Sequence, residues 1–160
     1  MKNYNWGLIG TGKISNKFAE GLTALEDATI YAVGSRSQSS ADVFAKKWEV
    51  SRSYGNYADL YADPDVAIVY IGTPHNFHLQ NVRDALNAGK HVLCEKAFTI
   101  NATEARELVA LARRKKLFLM EAMWNRFQPW YSVVRQLLDD GRLGALHHFK
   151  ADLSFRFEVG

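Results

Sequence analysis

Short apolar runs alternate with amphipathic segments over the first 126 residues of the chain. The runs are rich in β-branched and aromatic residues and stop at turn-forming residues, which is typical of β-strands. The run at 66–71 is apolar throughout, as expected for a strand of a parallel sheet that is buried on both faces. We predict strands at Trp6–Ile9, Thr29–Val33, Val66–Ile71, His91–Cys94 and Leu117–Met120.

The segments between these runs carry apolar residues at intervals of three and four, the spacing of one helix face. Strands that alternate with helices in this way predict an α/β fold, a doubly wound parallel sheet of the Rossmann type. Asn101 and Glu104 resemble a capping box at a helix start, and Gly89 is a predicted helix end. Residues 50–63 are predicted to be irregular, with a short helical stretch at 57–61. The predicted buried faces are Ile14, Phe18, Leu22 and Leu25; Ala41, Phe44 and Trp48; Leu79, Val82 and Leu86; and Ala105, Leu108, Val109 and Ala112.

A glycine turn joins the first predicted strand to the first predicted helix. Gly10 permits the tight turn, and Gly12 lets the backbone approach a pyrophosphate, whose charge the helix N-terminus attracts. Ser15 stands where the dinucleotide fingerprint has its third glycine, and it is small enough to keep helix and strand close. The same pattern also occurs where it only permits tight packing, so the turn by itself leaves both interpretations open.

Polar or glycine-containing clusters follow directly after the apolar runs. In open α/β sheets, ligands bind outside the carboxyl ends of the strands. Because the clusters come after strands predicted to be parallel, we expect them to converge on one crevice and to form a ligand site. The clusters are Gly10–Gly12, Ser35–Ser37, Thr73–His78, Glu95–Lys96 and Glu121–Arg126.

The pattern changes after residue 126. An apolar stripe predicts one more helix, and from residue 153 apolar and polar residues alternate, which predicts a strand with one buried face. We therefore expect a Rossmann domain at 1–126 and, at 127–160, a linker helix and the first strand of a second, α+β domain. The helix stripe is Val133, Val134, Leu137 and Leu138, and the apolar face of the strand is Leu153, Phe155, Phe157 and Val159.

A single strand can neither pair its own backbone groups nor cover its apolar face. Burying one such side chain is worth roughly 1.5–3 kcal/mol, and unpaired strand edges recruit other chains. We therefore expect residues 153–159 to associate with another copy or to remain disordered, and we predict a homo-oligomer.

Composition excludes several classes of function. Of the 160 residues, 48% are hydrophobic, yet no apolar stretch is long enough to span a membrane, and no signal-peptide core precedes the first strand. Cys94 is the only cysteine, which excludes an internal disulfide and fits a reducing cytoplasm. The net charge is only +3, and the basic run at 113–116 closes a helix whose C-terminal dipole favours cations. We expect a soluble cytoplasmic protein with neither a membrane nor a nucleic acid as partner.

Four motifs extend in order over nearly the whole chain. They resemble the glucose-fructose oxidoreductase, inositol dehydrogenase and rhizopine-catabolism (Gfo/Idh/MocA) family. The resemblance implies an NAD(P)-dependent oxidoreductase that acts on sugars, polyols or diols. Relatives usually have proline where this chain has Ala97, and a C-terminal sheet domain with an Asp/His catalytic motif, of which we expect only the beginning here. The motifs are Gly7-Leu-Ile-Gly-Thr-Gly-Lys-Ile-Ser15, Thr73-Pro-His-x-x-His78, Val92-Leu-Cys-Glu-Lys96 and Phe118-Leu-Met-Glu-Ala-Met-Trp-Asn-Arg-Phe127.

The residues after the second predicted strand indicate which dinucleotide binds. NAD-specific sites place Asp or Glu there to bind the ribose 2′-hydroxyl, and such a carboxylate would repel a 2′-phosphate. This chain has Ser35-Arg36-Ser37, a guanidinium between two hydroxyls, which suits a 2′-phosphate. The alternative interpretation is a polar loop at a helix start. We predict NADP as the cofactor, with NAD less favoured.

The resemblance also implies roles for individual residues. Lys96 matches the family's catalytic lysine, which assists proton transfer, and Glu95 would contact the nicotinamide ribose. Trp124 and Arg126 match residues that border nicotinamide and substrate, although an aromatic residue there also suits a core. His78 is structural or functional, with both interpretations open, and two histidines without a carboxylate or cysteine in register make a poor metal site. The predicted cofactor-binding residues are Gly10, Thr11, Gly12, Lys13, Ile14, Ser35, Arg36, Ser37, Thr73, Pro74, His75, His78, Glu95, Lys96, Trp124 and Arg126.

We therefore predict an NADP-dependent oxidoreductase that transfers a hydride between the nicotinamide and the carbinol carbon of a sugar, polyol or diol. No metal is expected. The alternative is a non-catalytic dinucleotide-binding protein, a redox sensor or a partner subunit. NADPH binding without turnover would favour that alternative.

Overall fold

The computed structural model describes residues 4–152 and Ser154. The chain divides into two compact units, one that ends at Ala122 and one that begins at Met123. Each unit is described by itself.

The first unit is built on a six-stranded sheet in which every neighbouring pair of strands is parallel. The strand order is β3-β2-β1-β4-β5-β6, so the chain moves outward from β1 on one side and then crosses to β4 on the other. The carboxyl ends of β1 and β4 therefore form the switch point at which such sheets bind ligands. The strands are β1 Tyr4–Ile9, β2 Ala28–Gly34, β3 Arg52–Tyr54, β4 Ile68–Ile71, β5 His91–Cys94 and β6 Leu119–Glu121.

Helices cover both faces of this sheet, which confirms the predicted doubly wound α/β fold. Short 3-10 helices lie at His75–Phe77 and, in the second unit, at Trp124–Phe127. The α-helices are α1 Lys13–Leu22, α2 Gln38–Trp48, α3 Tyr57–Ala62, α4 His78–Asn87, α5 Ala102–Lys115 and, in the second unit, α6 Pro129–Asp139.

Two apolar layers form the core of the first unit, one on each face of the sheet. Successive residues of a strand point to opposite faces, so Leu8 packs in the layer with α1 and α2 while Ile9 packs in the layer with α3, α4 and α5. Both side chains are fully buried. This two-sided burial is the reason that the central strands read as continuous apolar runs rather than alternating ones.

Two helix-end predictions are confirmed. The Asn101 side chain caps α5 by accepting the Glu104 N–H at 3.0 Å, and the Glu104 carboxylate reaches back to the Ile100 N–H at 3.3 Å. Gly89, directly after the C-cap of α4, has φ +79°, a conformation that glycine adopts without steric cost.

The structure corrects the strand predictions in several places: β1 and β2 are longer than predicted, and β4 begins at Ile68 instead of Val66. Residues 50–63, predicted to be irregular, contain the edge strand β3, which is only three residues long and forms by pairing with β2. Local alternation cannot show so short a strand, because its partner supplies the hydrogen bonds. The last strand begins at Leu119 instead of Leu117, because the Leu117 N–H donates to the Ala112 carbonyl and completes the end of α5.

Three residues of the predicted helix faces are exposed. Helix α1 ends at Leu22, so Leu25 lies beyond it and is 54% exposed. Ile14 borders a cavity instead of the core, and Ser15 and Ala19 are buried in its place. Val109 lies at the edge of the buried stripe of α5, whose buried members are Leu108 and Ala112.

A network of polar groups surrounds Asp63, which lies between the end of α3 and the start of β4. Its side chain is almost fully buried; one carboxylate oxygen accepts the Tyr54 hydroxyl at 2.7 Å and the other the Asp65 N–H at 2.9 Å. Burial alone would raise the pKa of Asp63, but these hydrogen bonds, with Arg52 and Lys90 nearby, lower it. Burial and the bond to Asp63 raise the pKa of Tyr54 to about 12.

The buried Lys90 ammonium donates to the backbone carbonyls of Asp63 and Val66 at 2.5 and 2.8 Å. It therefore fixes the turn that leads from α3 into β4. Burial lowers the pKa of Lys90, and the nearby carboxylates of Asp63 and Asp65 oppose this effect.

The second unit contains α6, which starts with Pro129 at its first turn and carries an Arg135–Asp139 ion pair of 2.9 Å. None of its residues is buried. The strand predicted from Leu153 onward lies outside the described residues, apart from Ser154. Within the described residues, no helix combines the length and apolar character needed to cross a membrane.

We predict that Asp63→Asn lowers the free energy of unfolding at pH 7 by about 1.5–3 kcal/mol, the scale of a hydrogen bond to a charged group. Because the pKa of Asp63 is lowered on folding, the unfolded chain binds more protons as the pH falls below about 4. The stabilisation is therefore present above that pH and lost on acidification. Urea unfolding between pH 7 and pH 3 should give a shallower acid loss for Asp63→Asn than for the wild type. The control is Asp27→Asn at an exposed carboxylate, and equal pH slopes for wild type and Asp63→Asn would contradict the prediction.

Candidate functional site

The loop after β1 and the loop after β4 come into close contact. Gly10 has φ +86°, and a β-carbon built on it would lie 3.0 Å from the Gly72 carbonyl oxygen. The Gly10 N–H donates to Gly34 and the Gly72 N–H to Ile9, so the three loops after β1, β2 and β4 are tied together at the sheet edge. A side chain at Gly10 would be strained by its φ as well as crowded.

Ser15 on α1 packs directly against Gly72. A β-carbon at Gly72 would lie 2.2 Å from the Ser15 hydroxyl oxygen and 2.9 Å from the Tyr70 ring. Ser15 is fully buried, and among the described residues its hydroxyl has no hydrogen-bond partner. Ser15 therefore contributes by being small, which lets α1 pack closely against Gly72. This is the role predicted for the residue at the third position of the fingerprint.

The amino end of α1 is open. Gly12 is its N-cap, no side chain caps the first turn, and a β-carbon on Gly12 would meet no atom within 4 Å. Asn16 holds the loop from behind, because its amide nitrogen donates to the carbonyls of Thr11 and Gly12 at 3.3 and 3.0 Å. The free N–H groups and the dipole of this end attract an anion.

Arg36 lies at the end of β2 with its guanidinium 5.7 Å from the centre of the Phe77 ring. Its side chain is exposed, and it has no carboxylate partner within the part of the chain that the structure describes. Ser37 is occupied as the N-cap of α2, where its hydroxyl accepts the Ser40 N–H and contacts Ser39. Arg36 is therefore the residue of this loop whose charge is available to a ligand.

A cavity of about 440 Å³ lies between these loops. The structure thus brings together three of the five clusters predicted to converge, those after β1, β2 and β4. The list of predicted cofactor-binding residues omits Tyr57, Gly72 and Phe77. Phe77 lies within the predicted cluster Thr73–His78, between the two predicted histidines, whereas nothing in the sequence around Tyr57 connects it with the site. The lining residues are Gly10, Thr11, Gly12, Ile14, Ser35, Arg36, Tyr57, Gly72, Thr73, Pro74 and Phe77.

The structure gives His78 a structural environment. The ring is fully buried; Nε2 lies 2.8 Å from the Thr73 carbonyl oxygen, and Nδ1 lies 2.9 Å from that of Ala97 and 3.2 Å from that of Phe98. It therefore connects the loop after β4 to the loop after β5. The structural interpretation of His78 is the one these contacts favour.

Glu95 and Lys96 follow β5, outside the lining of the cavity. The Glu95 carboxylate accepts the Tyr70 hydroxyl at 2.8 Å and the Lys96 N–H at 3.2 Å. Burial and then this bond raise the pKa of Tyr70, which keeps the phenol protonated as a donor. The Lys96 side chain is exposed, and the Lys96–Ala97 peptide bond is cis.

The remaining predicted residues lie elsewhere. Lys13 is exposed on the first turn of α1 and His75 is exposed in the 3-10 helix, neither of them in the cavity lining. Trp124 and Arg126 belong to the second unit, where Trp124 is 51% exposed. Cys94 is a fully buried core residue, and this burial raises the pKa of its thiol. Among the described residues, no three His, Cys, Asp or Glu side chains cluster in a way that would hold a metal.

The model of one protein family, described as an oxidoreductase family with an NAD-binding Rossmann fold (GFO_IDH_MocA), matches residues 4–123. The chain belongs to this family. It is 45% identical over 161 residues to the D-xylose 1-dehydrogenase (NADP(+)) of Hypocrea jecorina, covering 93% of this chain and 41% of that protein. It is 44% identical over 149 residues to the trans-1,2-dihydrobenzene-1,2-diol dehydrogenase of Bos taurus, covering 92% and 44%.

A solved structure of a 3-ketoreductase from Actinomadura kijaniata in complex with NADP matches with a TM-score of 0.83 and 31% identity, covering 89% of this chain and 46% of that one. The chain thus spans less than half the length of each of these proteins. The comparison confirms the family and the fold of the matched part.

We predict unequal losses of stability when alanine replaces two glycines of the site. Gly12→Ala should change the free energy of unfolding by less than about 1 kcal/mol, because the new methyl group meets no atom and only the N-cap preference is lost. Gly72→Ala should destabilise by about 1–3 kcal/mol through overpacking against Ser15, and Ser15→Gly in the same chain should restore part of that loss. Urea unfolding of the variants measures this, and equal losses at the two glycines would contradict it.

Proposed function

We propose that this chain binds NADP(H) in the cavity and belongs to an oxidoreductase that moves a hydride between the nicotinamide and the carbinol carbon of a sugar, polyol or diol. The observation that carries the proposal is that one cavity combines the uncapped amino end of α1 with Arg36, which has no carboxylate partner among the described residues. The first suits a pyrophosphate and the second a 2′-phosphate. We propose the cofactor-binding roles of the individual site residues on the same grounds.

The choice of NADP over NAD rests on the end of β2. Where a carboxylate would bind the 2′-hydroxyl of NAD, this chain places Arg36 beside the buried Ser35. Two of the compared proteins carry NADP in their names, the Hypocrea jecorina dehydrogenase and the Actinomadura kijaniata complex. The NADP in these two names supports NADP as the cofactor here.

The strand order supports a role for Lys96 at the other end of the cofactor. With the adenosine end at β2 and the pyrophosphate at β1, the nicotinamide end extends toward β4 and β5. Three spacings between strands separate β2 from β5, about 14 Å. The nicotinamide supplies the hydride chemistry when bound. Lys96, at the end of β5, would donate a proton to the substrate oxygen as the ammonium in the reductive direction and accept the hydroxyl proton as the neutral amine in the oxidative direction.

We also propose a substrate class, an oligomeric state and a cellular location. Sugars and diols are named for the two dehydrogenase relatives, and we propose the same class here. We propose a homo-oligomer, supported by the exposed apolar residues Trp130, Val133 and Val134 on α6, and a cytoplasmic location, supported by the single buried cysteine. Residues 1–126 would form the dinucleotide domain and 127–160 the beginning of an α+β substrate domain.

We predict that Arg36→Ala weakens NADPH binding by about 1.5–3 kcal/mol, the scale of a hydrogen bond to a charged group, and leaves NADH binding nearly unchanged. Calorimetric titration of both cofactors measures the difference. The matched control is Gly12→Ala, whose methyl group blocks the pyrophosphate that both cofactors share, so it should weaken both alike. Equal affinity of the wild type for NADPH and NADH would contradict the proposed preference.

The turnover test uses a protein that carries this chain together with the family's C-terminal sheet domain. In it, we predict that Lys96→Met abolishes most NADP-dependent turnover of D-xylose or a trans-dihydrodiol while NADPH affinity stays within about twofold, because the methionine keeps the side-chain length and removes only the charged proton donor. Turnover at a rate near that of the wild type would disprove the role of Lys96. NADPH binding by the wild type without turnover of any sugar or diol would favour the alternative of a non-catalytic redox sensor or partner subunit.

A further inference from the structure

The segment that follows Lys96 is anchored through one peptide group. This is the group between Ala97 and Phe98, whose carbonyl belongs to Ala97 and whose N–H belongs to Phe98. The Phe98 side chain packs against the core layer on the face of α3, α4 and α5, whereas Lys96 and Ala97 are exposed. The backbone, not side-chain packing, therefore decides where Lys96 stands.

Both polar atoms of this peptide group lie within hydrogen-bond distance of a side chain, one from the end of β6 and one from the start of α4. The Phe98 N–H donates to a carboxylate oxygen of Glu121, at the end of β6, at 2.9 Å. The Ala97 carbonyl oxygen lies 2.9 Å from Nδ1 of His78, at the start of α4. We call Glu121 and His78 the clamp. With the Phe98 N–H bound by Glu121, and with the Ala97 carbonyl accepting from His78 when Nδ1 carries the proton, the orientation of the second peptide plane after Lys96 is fixed.

The Lys96 ammonium has no hydrogen bond or ion pair of its own among the described residues. A lysine side chain is long and flexible, so nothing but its backbone directs it. Small displacements of a catalytic group cost much more rate than their size suggests. The clamp, together with the Glu95 carboxylate that accepts the Lys96 N–H, consequently limits where this ammonium can reach.

Glu121 is not required for the pairing of its own strand. The register of β5 with β6 is held by backbone bonds, including the 2.7 Å bond from the Ala122 N–H to the Cys94 carbonyl. Within the described part of the chain, the Glu121 carboxylate makes one hydrogen bond, which it accepts from the Phe98 N–H. A half-buried carboxylate that makes a single bond, to the segment after Lys96, is placed to orient that segment.

We propose that Glu121 is a positioning residue for Lys96, acting through the Ala97–Phe98 peptide group together with His78. This proposal rests on the proposed role of Lys96 at the nicotinamide. The proposal gives a role to Glu121, which belongs to the motif at 118–127 but does not line the cofactor cavity.

The experiment compares wild type, Glu121→Ala and Glu121→Gln in the same chain, with Glu107→Ala as the control for loss of a carboxylate. Glu107 lies on α5 and pairs with Arg83. Hydrogen exchange is the first measurement: Glu121→Ala should speed exchange of the Phe98 amide about tenfold or more, since a charge-assisted bond is lost. Glu121→Gln keeps an oxygen acceptor and should restore most of the protection. The amides of Val92 and Leu93 in β5 should be unaffected.

The second measurement is acylation of Lys96 by an amine-specific reagent, with and without saturating NADPH, read by mass spectrometry. Bound NADPH should protect Lys96 in the wild type and in Glu107→Ala. In Glu121→Ala the protection should fall to about twofold or less, while the calorimetric Kd for NADPH stays within about twofold, because the mispositioned lysine no longer meets the nicotinamide end.

The outcomes separate the two proposals. NADPH binding without protection of Lys96 in the wild type would overturn the proposed role of Lys96, and the positioning role with it. Protection that is equal in wild type and Glu121→Ala would overturn the positioning role of Glu121 alone. Unchanged exchange of the Phe98 amide in Glu121→Ala would show that the carboxylate does not hold the peptide group. This result would also overturn the positioning role of Glu121.

Discussion

The close contact between the loop after β1 and the loop after β4 is the constraint on which the site depends. Gly10 approaches the Gly72 carbonyl to a distance that leaves no room for a side chain, and Ser15 fills the space beside Gly72. Because α1 starts directly after this contact, its amino end is held at the carboxyl edge of the sheet. The position and the openness of the anion site are therefore consequences of three small residues.

A second set of contacts extends the site along the sheet from β4 to β6. Tyr70 binds Glu95, His78 binds the Ala97 carbonyl, and Glu121 binds the Phe98 N–H. Each bond joins the segment after β5 to a different neighbouring element, namely β4, α4 and β6, so the loop that carries Lys96 is fixed relative to its neighbours rather than only to its own strand. Buried polar bonds of this kind cost stability when one partner is removed, which ties the geometry of the site to the fold.

Most of the fold followed from the sequence, because strands buried on both faces are apolar at every position and helices repeat every three to four residues. The missed strand β3 has three residues and owes its existence to β2, a partner that local pattern does not reveal. The errors at Leu25 and Val109 have the same origin: periodicity gives a face, whereas the neighbouring helix end or sheet edge decides how wide the buried part is.

The site was predictable to the extent that it depends on strand ends. The glycine turn, Arg36 and the segment at Thr73 do line one cavity. Tyr57 was missed because it comes from a helix that follows no predicted strand, and the contacts of His78 and Glu121 were missed because they join residues 19 to 23 positions apart. Sequence motifs identify such residues as a group, but only the tertiary structure shows which peptide group they hold.

Amide chemical-shift mapping of the chain during titration with NADPH tests the central claim most directly. The account predicts that the largest shifts cluster on residues 10–14, 35–36 and 72–77, and that NADH produces weaker shifts at 35–36. A neighbouring groove of about 330 Å³, which includes Ser39, Ser40 and Lys47 among its lining residues, provides the comparison. Shifts confined to that groove, or no saturable shifts at all, would contradict the proposal that the loops after β1, β2 and β4 bind the cofactor.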